Sequence, residues 1–251
     1  KIRVAGIPYQ VPEPPFLDDR LGAVLATIYF IFNEGYAATD GDSPTRADLS
    51  EEAIRLGRLL CHLTPAPEAG GLLALMLLHD SRRVARRNED GAMVSLEAQD
   101  RSLWDAAKIG EGTRLLRASL GQNRPGPYQI QAAISALHAE APAFDGTDWL
   151  QIAGLYAALG QFTPSPVVTL NRAVALSHGG PVEDALELLE AVAPELGTYQ
   201  PLFAAKADFL KRLGRNDAAR QAYRTAIDLT ANAAEKEFLE RRLAAIGGHV
   251  A

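Results

Sequence analysis

The chain has 251 residues, with 25 basic and 31 acidic side chains for a net charge of −6, and its isoelectric point lies near 5.4. That length can bury one large core or two modest ones, and the acidic balance argues against a nucleic-acid-binding module, which needs clustered positive charge. No apolar run reaches membrane-spanning length, no secretory signal opens the chain, and the single cysteine, Cys61, cannot form an internal disulfide and suits a reducing cytoplasm.

Residues 1–15 contain Pro8, Pro12, Pro14 and Pro15, a density that forbids helix and favours an extended linker. The chain opens on Lys1 rather than Met, which suits a piece of a longer protein whose upstream region the linker would join. Asp18 and Asp19 fit a first helical turn, and Leu21, Leu25, Ile28 and Phe32 recur at helical spacing, predicting a helix to about Asn33. After the polar stretch Thr39 to Thr45, Ser50 caps, or sits just inside, a helix carrying Ile54, Leu56, Leu59 and Leu60 to His62. Cys61 reads there as a small buried hydrophobe.

Pro65 and Pro67 separate a third helix, Ala69 to about Arg87, whose first half is apolar nearly all round and therefore central. Its end holds the densest basic cluster, Arg82, Arg83, Arg86 and Arg87, directly followed by Glu89 and Asp90. Asn88 to Gly91 is turn chemistry, and Met93 to Leu96 suits an irregular loop. Asp100 or Ser102 then starts a helix bearing Leu103, Trp104, Ile109, Leu115, Leu116 and Leu120, ended by Gly121. On it Arg101 and Asp105 stand at i and i+4 and can pair on one face.

Arg124-Pro125-Gly126-Pro127 is a hard break and divides a helical subdomain, 16–122, from a second one, 123–251. Beyond it, helices are predicted over Tyr128 to Glu140, Thr147 to Phe162, Ser165 to His178, Val182 to Val192, Pro201 to Leu213, Asp217 to Thr230 and Ala234 to Ile246. No strand of ordinary length is evident, so the class is all-α. Gly180 and Gly214 lie 34 residues apart. At the same offset Ala173 matches Ala207, Ala185 matches Ala219, Leu189 matches Tyr223 and Val192 matches Ala226. A 34-residue period with small residues where helices cross is the pattern of a tetratricopeptide repeat, a platform that holds partners rather than a seat of chemistry. In the better copy Phe203 takes the large first-helix position, Ala207 the crossing position, and Tyr223 fills the gap between hairpins. A looser copy covers Tyr128 to Pro164, where Trp149 seals its second helix. The charged final helix, with Glu235, Lys236, Glu237, Glu240, Arg241 and Arg242, has the polar outer face of a cap.

No metal spacing, cysteine pair, calcium loop or phosphate loop is present; Gly70-Gly71 opens an apolar helix and Gly179-Gly180 is a turn within a repeat. The polar and aromatic cluster Gln99 to Asp105 holds Arg101 and Trp104, residue types that dominate binding hot spots. His79 reads as a capping or core-edge histidine paired with Asp80 or Arg83, and His138 as its like. Asn33-Glu34-Gly35-Tyr36 closes a helix end or binds a ligand. These residues leave two readings open. In one, the groove of the repeats holds a peptide or domain surface, with Asn171 and Arg172 on a first helix and Arg101, Trp104 and Tyr128 near the subdomain junction. In the other, an enzyme or small-ligand receptor has a pocket at that junction, lined by Glu34, Tyr36, His79 and Asp100.

Several segments, in order, carry a resemblance: Lys1-Ile2-Arg3 to Ile7-Pro8-Tyr9, Tyr29 to Ala38, Asp90 to Asp105, Arg124 to Tyr128 with Gln131 and His138, and Leu170-Asn171-Arg172-Ala173-Val174-Ala175. Together they resemble the C-terminal, tetratricopeptide-like extension of one group of bacterial extracytoplasmic-function sigma factors, across almost the whole chain. Asp90-Gly91-Ala92-Met93 departs mildly from that group's Asp-Gly-Ser-Ile. The resemblance implies a regulatory, non-enzymatic, cytoplasmic module of a transcription initiation factor. Its implied partners are the RNA polymerase core, the protein's own upstream sigma domains, and a signalling protein or peptide. DNA would be met only through the upstream region, with no cofactor, metal or membrane.

Overall fold

A computed structural model describes residues 17–36, 45–88, 94–230 and 232–246. The Pro-rich linker 1–15, most of the Thr39 to Thr45 loop and the Asp90 to Met93 run lie outside the described residues. Those residues form eleven α-helices and no strand: α1 Leu17–Tyr36, α2 Thr45–Leu63, α3 Pro67–Asp80, α4 Ala106–Leu120, α5 Pro127–Glu140, α6 Trp149–Phe162, α7 Pro166–Gly179, α8 Val182–Leu196, α9 Gln200–Arg212, α10 Asn216–Leu229 and α11 Ala233–Ala244. The chain is all-α, as its periodicities require. No described helix is long and apolar enough to cross a membrane.

α3 is the centre of the first half. Every residue from Leu72 to Leu78 is at most 2% exposed, and each large apolar side chain there contributes about 1.5–3 kcal/mol by leaving water. α1, α2, α4 and α5 all pack on it. The approach of α5 is close: a Cβ on Gly71 would lie 2.8 Å from the Gln129 backbone nitrogen, so only glycine admits this crossing. Glu68, in the first turn of α3, accepts the Tyr128 and Gln129 N–H groups at 3.0 and 3.1 Å, a carboxylate placed on the positive end of α5. The helix following the Arg124 to Pro127 break is thus bolted to α3.

Three expected elements differ in extent. The third helix stops at Asp80 rather than reaching Arg87. Ser81 Oγ turns back to the Leu78 carbonyl at 2.7 Å, a short 3-10 turn follows over Val84–Arg86, and Arg86 donates to the Tyr36 carbonyl at 3.0 Å with its guanidinium 3.9 Å from the Tyr36 ring centroid. Those long-range contacts outweigh helix propensity, which is a weak preference per residue. The helix expected from Asp100 is two elements. Arg101–Leu103 is a 3-10 turn capped by Asp100, and α4 begins only after Asp105 Oδ1 accepts the Ala107 and Lys108 N–H groups, each at 3.0 Å. Arg101 and Asp105 therefore share no helix face and do not pair. α2 begins at Thr45, so Ser50 lies inside it, fully buried, rather than capping it. Leu59, on its expected apolar face, is 48% exposed.

The second half is repeat-like. Successive helices from α5 to α11 pack in chain order, and α7 also touches α9. Ala173, Ala207, Ala185, Ala219, Leu189 and Ala226 are fully buried and Tyr223 is 1% exposed, so the 34-residue offset marks crossing points. Val192 and Phe203 are only partly buried; Leu202 and Phe209 fill the core of α9 in place of Phe203. The matched glycines are not conformational copies: Gly214 has φ 70° whereas Gly180 is not left-handed. Ala207→Leu is expected to cost about 1–3 kcal/mol by overpacking, read as a lower urea midpoint, whereas Ala191→Leu on the exposed side of α8 should change stability by no more than about 0.5 kcal/mol.

Candidate functional site

The 34-residue offset also aligns the outward faces of the first helices: Asn171 with Ala205, Val174 with Asp208, His178 with Arg212. Val174, His178, Ala204, Ala205, Asp208 and Arg212, from α7 and α9, together with Phe238 and Arg242 of α11, line a groove of about 500 Å³. Its far wall comes from the chain before α4 and before α6, through Leu96, Glu97, Phe144 and Asp145. The floor is small and apolar, and the rim is charged with both signs. Asn171 stands one turn before Val174 on α7.

The rim is held in place by the repeats. Arg242 Nη1 donates to Asp208 Oδ1 at 2.9 Å, reaches Glu97 at 3.9 Å, and lies 5.0 Å from the Phe238 ring. Arg212 donates to the Ser177 carbonyl. His178 stacks on Trp149 at 4.4 Å with Phe144 edge-on at 5.2 Å. Burial, and then the Arg212 charge, hold its imidazole below the usual histidine range, so it presents a neutral ring near pH 7. This arrangement suits an extended polypeptide: apolar pockets for side chains, with fixed donors and acceptors for backbone and charged groups.

The residues singled out from sequence fall in several places. Arg172 is exposed on the other side of α7, in a crevice with Tyr156, Gly160, Val192 and Glu195, and so does not share the groove with His178. Tyr128 opens α5 and meets Tyr29 edge-on at 5.6 Å. Arg101 Nη1 donates to the carbonyls of His138 and Ala141 at 2.6 and 2.9 Å, closing the end of α5, and its guanidinium lies 4.5 Å from the Trp104 ring. Trp104 is 7% exposed. Of the alternative pocket, Tyr36 and His79 meet at 5.3 Å between ring centroids, while Glu34 is exposed and Asp100 is turned to the Ser102 N–H at 2.8 Å. His79 does not pair with Asp80 or Arg83. Asp80 instead binds Arg83 at 2.5 Å and Lys108 at 2.7 Å. Cys61 is half-buried against the α1–α3 core, and burial raises its thiol above the ordinary range, which leaves it unreactive near neutral pH. Among the described residues no cluster of three or more His, Cys, Asp or Glu side chains could hold a metal ion.

The groove residues Asp208, Arg212, Phe238 and Arg242 went unselected in the sequence. The repeat offset reaches the first two from Val174 and His178. The same offset carries on into the capping helix, from Ala204 to Phe238 and from Asp208 to Arg242.

Residues 20–120 match a family described as "Family of unknown function (DUF6596)". No solved structure matches the chain. An uncharacterized protein of Rhizobium meliloti (strain 1021) is 47% identical over 244 residues, covering 97% of this chain and 58% of the relative. The chain therefore spans little more than half the length of the curated relative it matches.

Proposed function

We propose that the protein is the regulatory, protein-interaction part of an extracytoplasmic-function sigma factor, acting in the cytoplasm without chemistry of its own. The observation that carries this reading is the groove along α7, α9 and α11, whose lining repeats at the period of a partner-holding scaffold. The ordered resemblance from Tyr29 to Ala175 supplies the sigma-factor context. The Rhizobium relative, of which the match covers 58%, has room for such a further domain. The occupant of the groove would be a segment of the upstream sigma domains, of the polymerase core, or of a signalling protein. In this reading the module modulates transcription initiation, and DNA is met only through the sigma domains.

The test uses a full-length protein that carries the upstream region, with a promoter reporter. Ala205→Arg, which fills the groove floor, is expected to change reporter output at least fivefold while the helical circular-dichroism signal and the urea midpoint stay close to wild type. Arg224→Ala, on the exposed face of α10, should leave output unchanged. Equal output from wild type and Ala205→Arg would remove the groove from the mechanism.

A further inference from the structure

Three residues linked through Arg101 each hold a buried polar atom without a hydrogen-bond partner: Arg101 Nη2, Trp104 Nε1 and His138 Nδ1. Arg101 connects them, lying over the Trp104 ring at 4.5 Å and donating to the His138 carbonyl at 2.6 Å. Arg82, from the turn after α3, approaches the same indole at 5.7 Å. A buried polar atom left unpaired costs about 1–3 kcal/mol, so three on residues joined through one arginine call for an acceptor.

The electrostatics at this place have one sign. The charges acting most strongly on His79 and His138 are Arg82, Arg86 and Arg101, and each disfavours the protonated imidazole. The nearby carboxylates are engaged elsewhere: Asp80 with Arg83 and Lys108, Asp100 with the Ser102 N–H, Asp105 with the first turn of α4. None of the ion pairs among the described residues involves Arg82, Arg86 or Arg101. An arginine and an indole offer only donors, and a neutral histidine can present Nδ1–H. The matching ligand is acceptor-only, compact and at least singly negative.

We propose that Arg82, Arg101, the Trp104 Nε1–H and His138 form a site for a phosphate group, at the junction where the turn before α4 meets the end of α5. A tetrahedral oxyanion can take the free Arg101 Nη2–H, the indole N–H and the imidazole N–H at once, with Arg82 closing the site as a second charge. The site is separate from the repeat groove and does not rest on the sigma-factor reading. By tying the Arg101 turn to α5, a bound phosphate would make the orientation of the two halves respond to a small ligand.

The chain has two tryptophans, so a nitrogen-15 spectrum has two indole signals, assigned by Trp104→Phe or, should that variant not fold, by Trp149→Phe. Inorganic phosphate is titrated against sodium chloride at matched ionic strength. The expected result is a saturable shift of the Trp104 indole signal with phosphate and none with chloride. Arg82→Gln, which breaks no hydrogen bond seen here, should weaken the titration at least tenfold. A parallel titration with phosphoserine distinguishes the source: response to inorganic phosphate alone means an enclosed site for the free ion, and response to both means a site for the phosphoryl end of a larger molecule. A shift that follows ionic strength only, or one unchanged in Arg82→Gln, would overturn the site and leave these donors hydrated.

Discussion

Acidification from pH 7 to pH 5 in a phosphate-free buffer is expected to remove up to about 4 kcal/mol of stability, and His79→Phe to remove about half of that dependence. His79 lies beside Tyr36 and Phe32, at 5.3 and 6.5 Å between ring centroids. Burial, and then Arg82, Arg86 and His138, push its imidazole down to about 3. Burial, with Arg82, Arg101 and His178, pushes His138 down to about 4. In the unfolded chain both titrate near 6.5. Folding is therefore unaffected by these groups well above pH 7. Below pH 6.5 the unfolded chain takes up protons that the folded one refuses, so stability falls, and it continues to fall until pH 4 to 3. At pH 5 each group accounts for about 2 kcal/mol, from about 1.5 pH units at 1.36 kcal/mol per unit. Phenylalanine suits the aromatic surroundings of His79 and cannot titrate. The check is a set of urea midpoints at pH 7, 6, 5.5 and 5. Parallel pH profiles for wild type and His79→Phe would contradict the assignment. Phosphate, if it binds beside His138, should flatten the wild-type profile, since it favours the charged imidazole.

Asp80→Ala should destabilise the protein by about 1.5–3 kcal/mol, the range for losing hydrogen bonds to charged groups. Asp80 ends α3, where a negative charge opposes the helix dipole, and its side chain is 0% exposed. It is tolerated because Arg83 and Lys108 hold its two oxygens at 2.5 and 2.7 Å. Arg83 is itself tied to the buried Ser50 of α2 at 2.7 Å, so one carboxylate joins α2, α3 and α4. Removing it leaves Arg83 and Lys108, each about a third exposed, with only the longer contacts to Glu51 at 3.4 Å and Asp105 at 3.6 Å. Lys108→Ala should cost clearly less, because Arg83 still neutralises Asp80 and Lys108 is about a third exposed. Urea unfolding of the two variants checks the order. If Lys108→Ala proves the more damaging, the hierarchy argued here is wrong.

The two halves differ in how openly their residues announce the fold. In α1, Leu25, Ile28 and Phe32 face the core as their spacing predicts. In α7 to α10, the alanine pairs Ala173 and Ala207, and Ala185 and Ala219, each 34 residues apart, are fully buried. Helix ends follow from neighbouring residues where a local cap decides them, as with Asp148, which accepts the Gln151 N–H at 2.9 Å, and Ser165, which accepts the Val167 N–H at 3.3 Å. They depart from the periodicity between Asp80 and Asp105, where Arg86 and Arg101 choose carbonyl partners 50 and 37 residues away in sequence. No local pattern encodes such a choice.

The helical class, the repeat and the small residues on which helices cross are legible in the residues alone, because they follow from periodicity and side-chain volume within one or two turns. The tertiary structure alone decided which polar side chains meet. Arg242 reaches Glu97 of the chain before α4, and Arg101, Trp104 and His138 gather from a turn and a helix end. Their partners are set by how whole helices stack, and stacking is a property of distant surfaces rather than of neighbouring residues.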